Sequence, residues 1–308
     1  MLQIIIISIP MFKKTYTLLF LILFFNLPSF AQNSTDIIAI DIRKSGGKME
    51  LISGTETKIT DRKGYDNQPN FINDKQLAFS SADEKGNFDI IIYNFETGKF
   101  TNLTKTPNQN EYSPRITDCG LYVSAVTVEE GGLQRLWLYP TNFGEPELLY
   151  DDILPVGYYD WYDNKAAMFV LGQPNSLVYP YSKSDVLTIS QNIGRSVVKR
   201  PKNSLISYID KNSINDQSGI KSYSIKGFDL EKKESIDLGS TKGLVEDFIW
   251  LDKNHLLTSE GNSLFIRKYN EDTWHKIGEV SLSNYQKISR LAYSPKLKKI
   301  VIVMDRMD

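Results

Sequence analysis

Residues 64–104, GYDNQPNFINDKQLAFSSADEKGNFDIIIYNFETGKFTNLT, read as one complete unit of four strands. Phe71 ends a first strand (strand a) before the Asn73-Asp74-Lys75 turn, and Leu77-Ala78-Phe79-Ser80 forms strand b. Strand c is Phe88-Asp89-Ile90-Ile91-Ile92-Tyr93, and strand d runs over 100–104 after the Glu96-Thr97-Gly98-Lys99 turn. Short, β-branched-rich runs bounded by polar turns are the signature of antiparallel hairpins. Residues 285–308 (YQKISRLAYSPKLKKIVIVMDRMD) supply only the first two strands of such a unit. Residues 36–60 (DIIAIDIRKSGGKMELISGTETKIT) supply only the last two. A repeat cut in this way is completed when the two ends of the chain meet in one sheet, which closes a ring.

Working outward, the pattern recurs with a period of about 45 residues, the mark of a repeat architecture. A second copy (105–150) carries Ile116 on strand a, Leu121–Ala125 on b, Leu136–Tyr139 on c and Glu147–Tyr150 on d. The third (151–191) carries Trp161 on a, and the fifth (241–284) carries Trp250. The fourth (192–240) is more degenerate, with Lys211 to Gly219 reading as a polar loop between strands b and c. Five whole units and two halves predict an all-β chain folded as a six-bladed β-propeller. Its closing blade is split, with C-terminal strands a–b beside N-terminal strands c–d, so that no sheet edge is left open there.

The residues Ile59-Thr60, Gly64-Tyr65, Gln68-Pro69-Asn70-Phe71, Asp89-Ile90-Ile91-Ile92-Tyr93 and Asn102-Leu103-Thr104 resemble the TolB-like (WD-like) propeller repeat of exported bacterial proteins. Glu111-Tyr112-Ser113-Pro114 and Tyr293-Ser294-Pro295 repeat its aromatic-Ser-Pro element, whereas the family's Asp-Gly turn is mostly lost. The resemblance covers nearly all of 36–308. It implies the propeller alone, since the α/β domain that precedes it in TolB proteins finds no room in this chain.

The 308 residues carry 36 basic and 37 acidic side chains, well interspersed, for a net charge of −1. No basic stripe or like-charge block is present, which argues against nucleic acid or an anionic membrane as partner. At the N-terminus, Lys13-Lys14, the apolar run Thr17 to Leu27 and Ser29-Phe30-Ala31 fit a signal peptide over 1–31, cut between Ala31 and Gln32. Met11 offers an alternative start. The apolar run is shorter than the roughly 20 residues of a spanning helix. The expectation is a periplasmic or secreted monomer with a single domain over 32–308 and no membrane span after signal removal. The one cysteine, Cys119, stands in a turn and has no partner for an internal disulfide.

Motifs for chemistry are sparse. There is no Gly-x-Ser-x-Gly elbow, no phosphate-binding glycine loop and no zinc-ligand spacing, and the two histidines, His255 and His275, fall on the rim of one blade. Asp151-Asp152 and Asp160 with Asp163 are oxygen-rich, but their spacing matches no calcium loop. No cofactor or metal is expected, calcium being the one cation to consider.

A propeller offers its central channel at the start of each strand a. Counting back three residues from each strand-a core position gives Gln68, Ser113, Tyr158, Ser196, Asp247 and Arg290; one step earlier gives Asn67, Tyr112, Gly157, Arg195, Glu246 and Ser289. Arg195 and Ser196 can exchange columns, because the fourth unit needs a gap. The candidate binding residues are therefore Asn67, Gln68, Tyr112, Tyr158, Arg195, Glu246, Asp247 and Arg290. The arginines suit a carboxylate or phosphate, the carboxylates an amine or a cation, and the tyrosines stacking. No catalytic residue is assigned. The reading is a non-catalytic module that binds a protein or a small anionic or zwitterionic ligand at the channel mouth. The alternative is a propeller enzyme of lactonase or lyase type with a calcium-assisted pore site built on Asn67, Glu246 and Asp247.

Overall fold

The computed structural model describes residues 34–45, 48–217 and 219–307. The signal peptide expected over 1–31 lies outside the described residues. The compact unit Asn33–Asp308 contains six antiparallel sheets and, among the described residues, no helix.

Blade 1 follows the repeat read above, with strands a to d at Asp66–Phe71, Gln76–Ala82, Phe88–Asn94 and Phe100–Asn102. In blades 2 to 5 strand a is Asn110–Ile116, Val156–Tyr162, Ile193–Lys199 and Phe248–Trp250. Each is followed in order by three antiparallel neighbours. Blade 6 is the split one. Its strands a and b are Tyr285–Ser294 and Lys299–Arg306, and strand b pairs with Thr35–Ser45 from the other end of the chain. That junction runs over seven residue pairs, from Thr35 opposite Asp305 to Asp41 opposite Lys299. Thr35–Ser45 then pairs with Thr57–Lys58 near its start and with Lys48–Leu51 near its end.

Six apolar clusters hold the ring, each shared by two consecutive blades. Ile90 and Leu103 of blade 1 pack with Val123 and Tyr139 of blade 2, and Leu136 meets Tyr159 and Met168 across the next gap. Tyr179 meets Tyr208, Ile209 and Leu238 meet Phe248 and Trp250, and Leu257 and Leu264 meet Ile300 and Ile302. Ile37, Val301 and Val303 of the split blade close onto Leu77 and Phe79 of blade 1. Each such aliphatic side chain contributes roughly 1.5–3 kcal/mol on burial, so the ring stands on these interfaces and needs no disulfide. Trp161 and Trp250 belong to these clusters.

The repeat's closing hydroxyl has a structural use. Thr104 Oγ1 accepts from the amide of Ile90 (3.0 Å) and donates to Asp89 (2.9 Å). Thr60 does the same in blade 6, accepting from Ile37 N (2.9 Å) and donating to Asp36 (3.2 Å). The Leu/Ile-Thr ending of a unit thus pins strand d to the start of strand c.

One expectation is corrected. The stretch from Lys211 to Gly219 is no loop: strand b of blade 4 continues to Gln217, strand c begins at Ile220, and the two form a projecting hairpin arm. Ile214 and Ile220 are exposed on it. Polar residues on both solvated faces of a two-stranded arm hide the period-2 signal that identifies a half-buried strand.

Candidate binding site in the central channel

All six strands a contribute to one central cavity. It is lined by Gln68, Ser113, Arg115, Tyr158, Arg195, Asp247 and Arg290, among others, and its volume is about 80 Å³. Beside it, a recess of about 500 Å³ opens between blades 5 and 6, lined by Arg195, Leu244, Glu246, Asp247, Lys287 and Ser289. Arg195 and Asp247 belong to both.

A bulge at the start of strand a places these side chains. The pairing of strands a and b slips between Asn67 and Asn70 in blade 1, and between Tyr112 and Arg115 in blade 2. At each slip one residue, Gln68 (φ 57°) or Ser113 (φ 54°), takes the left-handed conformation that non-glycine residues seldom adopt. Such positions persist only where surrounding contacts hold them. Here Asn67 Oδ1 accepts from Gln68 N (2.7 Å), and Gln68 Oε1 accepts from Ser113 N (2.8 Å), linking blade 1 to blade 2.

The charged residues form one network. Arg195 points Nε (3.1 Å) and Nη2 at the two oxygens of the Asp247 carboxylate, the forked arrangement that planar guanidinium favours. Arg290 reaches the same carboxylate through Nη1 at 3.4 Å, donates from Nη2 to the Tyr158 hydroxyl at 3.3 Å and lies over that ring. Glu246, the residue just before Asp247, faces the other way and accepts from Lys211 Nζ (2.6 Å) and from the amide of Arg195 (3.2 Å). Deeper in, Arg115 pairs with Asp160 at 3.2 Å. Two guanidiniums therefore share one carboxylate at the mouth, with every other nearby charge paired.

Some hydrogen-bonding capacity is left over around this network. Gln68 presents its Oε1 to a backbone N–H, which turns its amide donors to the channel. The hydroxyl oxygens of Ser113 and Ser289 are buried without a partner. Tyr158 accepts from Arg290 and keeps its own proton to give. The surplus at the mouth is one of cationic donors, two guanidiniums over one carboxylate, with hydroxyls beside them that can donate or accept.

Of the eight candidate residues, Gln68, Tyr158, Arg195, Asp247 and Arg290 meet in the channel. Glu246 lines only the outer recess. Asn67 does not reach the channel: it is buried, with Nδ2 turned to Thr35 Oγ1 at 3.5 Å. Tyr112 does not either, because its ring packs on Phe88 with centroids 5.0 Å apart; burial raises its phenol pKa to about 12. Adjacent residues of a strand face opposite sides, so only one of the two columns can line the channel. The fourth unit exchanges columns: Arg195 enters the channel, and Ser196 Oγ donates to Glu246 O at 2.7 Å. Arg115, Ser113 and Lys211 were not among the eight. Carrying the period-2 count two residues on from Ser113 finds Arg115; nothing in the sequence marks Lys211.

Just behind the channel wall, Glu111 is completely buried with no cation beside it. It accepts from Thr106 Oγ1 (2.7 Å) and lies 3.4 Å from the Tyr139 hydroxyl. Burial pushes its pKa up to about 7, against the pull of these hydroxyls.

No protein-family profile matches the chain, and no curated protein matches it in sequence. Solved structures do. It is similar to a protein assigned as TolB from Agrobacterium tumefaciens (TM-score 0.63, 12% identity), covering 90% of this chain and 100% of that one. It is similar to TolB from Acinetobacter baumannii (TM-score 0.56, 11% identity), covering 88% of this chain but 64% of that one. It is also similar to oligogalacturonate lyase from Vibrio parahaemolyticus (TM-score 0.50, 11% identity), with 89% and 98% covered. At these identities the likeness is one of fold: the chain has a six-bladed β-propeller fold similar to that of these structures.

Proposed function

We propose that this protein is an exported, non-catalytic binding module that holds a negatively charged group of a protein partner or small ligand at its channel mouth. The observation that carries the reading is the charge balance: two guanidiniums over one carboxylate, beside hydroxyls of Ser113, Tyr158 and Ser289 that can donate to an anion. Size sets the division of labour. The channel cavity of about 80 Å³ has room for a carboxylate-sized group or a few waters. The recess of about 500 Å³ falls in the range of small-molecule sites and can take the body of the ligand. The fold similar to that of two TolB proteins supports an interaction role and, with the signal-peptide pattern of residues 13–31, an extracytoplasmic place of work. No helix among the described residues is long and apolar enough to cross a membrane.

The lyase-like alternative needs Asn67, Glu246 and Asp247 to converge on one cation. Asn67 faces Thr35, Glu246 faces Lys211, and Asp247 is held by two arginines, so the three do not form a ligand set. The test is amide chemical-shift mapping with acetate at constant ionic strength. Shifts centred on Ser113, Tyr158, Ser289 and Arg290 are expected; shifts scattered over surface lysines would refute the channel as the site.

A further inference from the structure

We infer that Asp247 is a built-in competitor for the anion: its carboxylate occupies the position a ligand's carboxylate would take and so sets the affinity of the site. The inference rests on the channel reading above. Arg195 has committed its Nε–Nη2 edge to Asp247, which is the arrangement an incoming carboxylate would seek. The Asp247 side chain is only 12% exposed, yet it lines both the channel and the recess, placing its charge on the path between them. Arg290 holds that carboxylate more loosely, by one contact at 3.4 Å, and spends its other bonds on neutral oxygens, the Ser289 carbonyl (2.7 Å) and the Tyr158 hydroxyl (3.3 Å). Glu246 cannot substitute for Asp247, because it faces Lys211 on the opposite side of the strand.

A ligand anion therefore meets two guanidiniums that already serve Asp247, Arg195 through a fork and Arg290 through one long contact. It must either share Arg290 while standing beside a like charge, or displace Asp247 from Arg195. Both reduce affinity in a low-dielectric channel. A partner that binds tightly must bring further contacts in the recess, and a free small anion alone binds weakly. The arrangement favours a ligand that carries its charge on a larger body over the inorganic anions abundant in any medium.

The probe is acetate, titrated at constant ionic strength against chloride and read from amide chemical shifts. In Asp247→Asn, which keeps the shape and an acceptor for Arg195, the Kd for acetate should fall at least about tenfold relative to the unaltered protein. Asp247→Ala should do the same. An equal or weaker Kd in both variants overturns the competitor role. Arg290→Gln should abolish binding in either background; if it binds acetate like the unaltered protein, the channel reading itself fails, whatever Asp247 does. Absence of acetate binding in every form overturns both ideas, whereas binding seen only in the Asp247 variants supports both. Should the variants be poorly stable, acetate must raise their Tm more than it raises that of the unaltered protein. Equal gains would count against the inference.

Discussion

Arg306 donates from its guanidinium to the carboxylate of Asp36, which lies 270 positions earlier in the chain, and this pair ties the two ends together inside the split blade. Asp36 is completely buried, and it also accepts from the Tyr285 hydroxyl at 2.7 Å and from Thr60 and the Arg62 amide at 3.2 Å each. Arg306 reaches Asp61 as well. Two half-units from opposite ends of the chain thus share a satisfied ion pair in addition to seven residue pairs of one strand junction.

Removing one partner should be costly, because it strands a buried charge. Arg306→Ala is expected to destabilise the protein by about 3–5 kcal/mol, while pairing Arg306→Leu with Asp36→Asn should recover much of the loss. Urea denaturation of the single and double variants measures this. A single-variant loss below about 1 kcal/mol would mean that strand pairing alone closes the ring.

Thr60→Val should cost about 1–3 kcal/mol despite its near-identical shape, since it removes the oxygen that serves both Ile37 N and Asp36. The same exchange at an exposed threonine such as Thr101 should be nearly neutral. Comparing the two denaturation midpoints separates a latch from a propensity effect.

Glu111 predicts an unusual pH dependence. Its folded pKa of about 7 lies above the ordinary 4.5, so the folded state resists ionisation. Its contribution is then most favourable below pH 4.5, declines as the pH rises toward 7, and is level above that. Glu111→Gln, whose amide can still engage Thr106 and Tyr139, should stabilise the protein at pH 8 by up to about 3 kcal/mol and give little gain at pH 4. Denaturation curves for both proteins across that interval test the sign.

Much of this was legible in the sequence for a physical reason. Turn residues and β-branched runs recur unit by unit, so the blade count and the split closure follow from the period, and the strand starts lead to Gln68, Tyr158, Asp247 and Arg290. What was not legible depends on local backbone geometry. The left-handed bulges at Gln68 and Ser113 decide which neighbour faces the channel, and they turn Asn67 and Tyr112 into packing residues. Pairing was equally hidden: alternation puts Glu246 and Asp247 on opposite faces, but only the fold shows that Lys211, from a projecting arm, takes Glu246 while Arg195 takes Asp247.

The most direct measurement is a crystal of the propeller soaked in 4-bromobenzoate, whose unreactive aryl bromine locates the anion by anomalous scattering. A carboxylate within hydrogen-bonding distance of Arg290 and the Tyr158 hydroxyl is expected, with the bromine directed toward the recess beside Ser289. Bromine found only at surface lysines, with the channel unchanged, would contradict it.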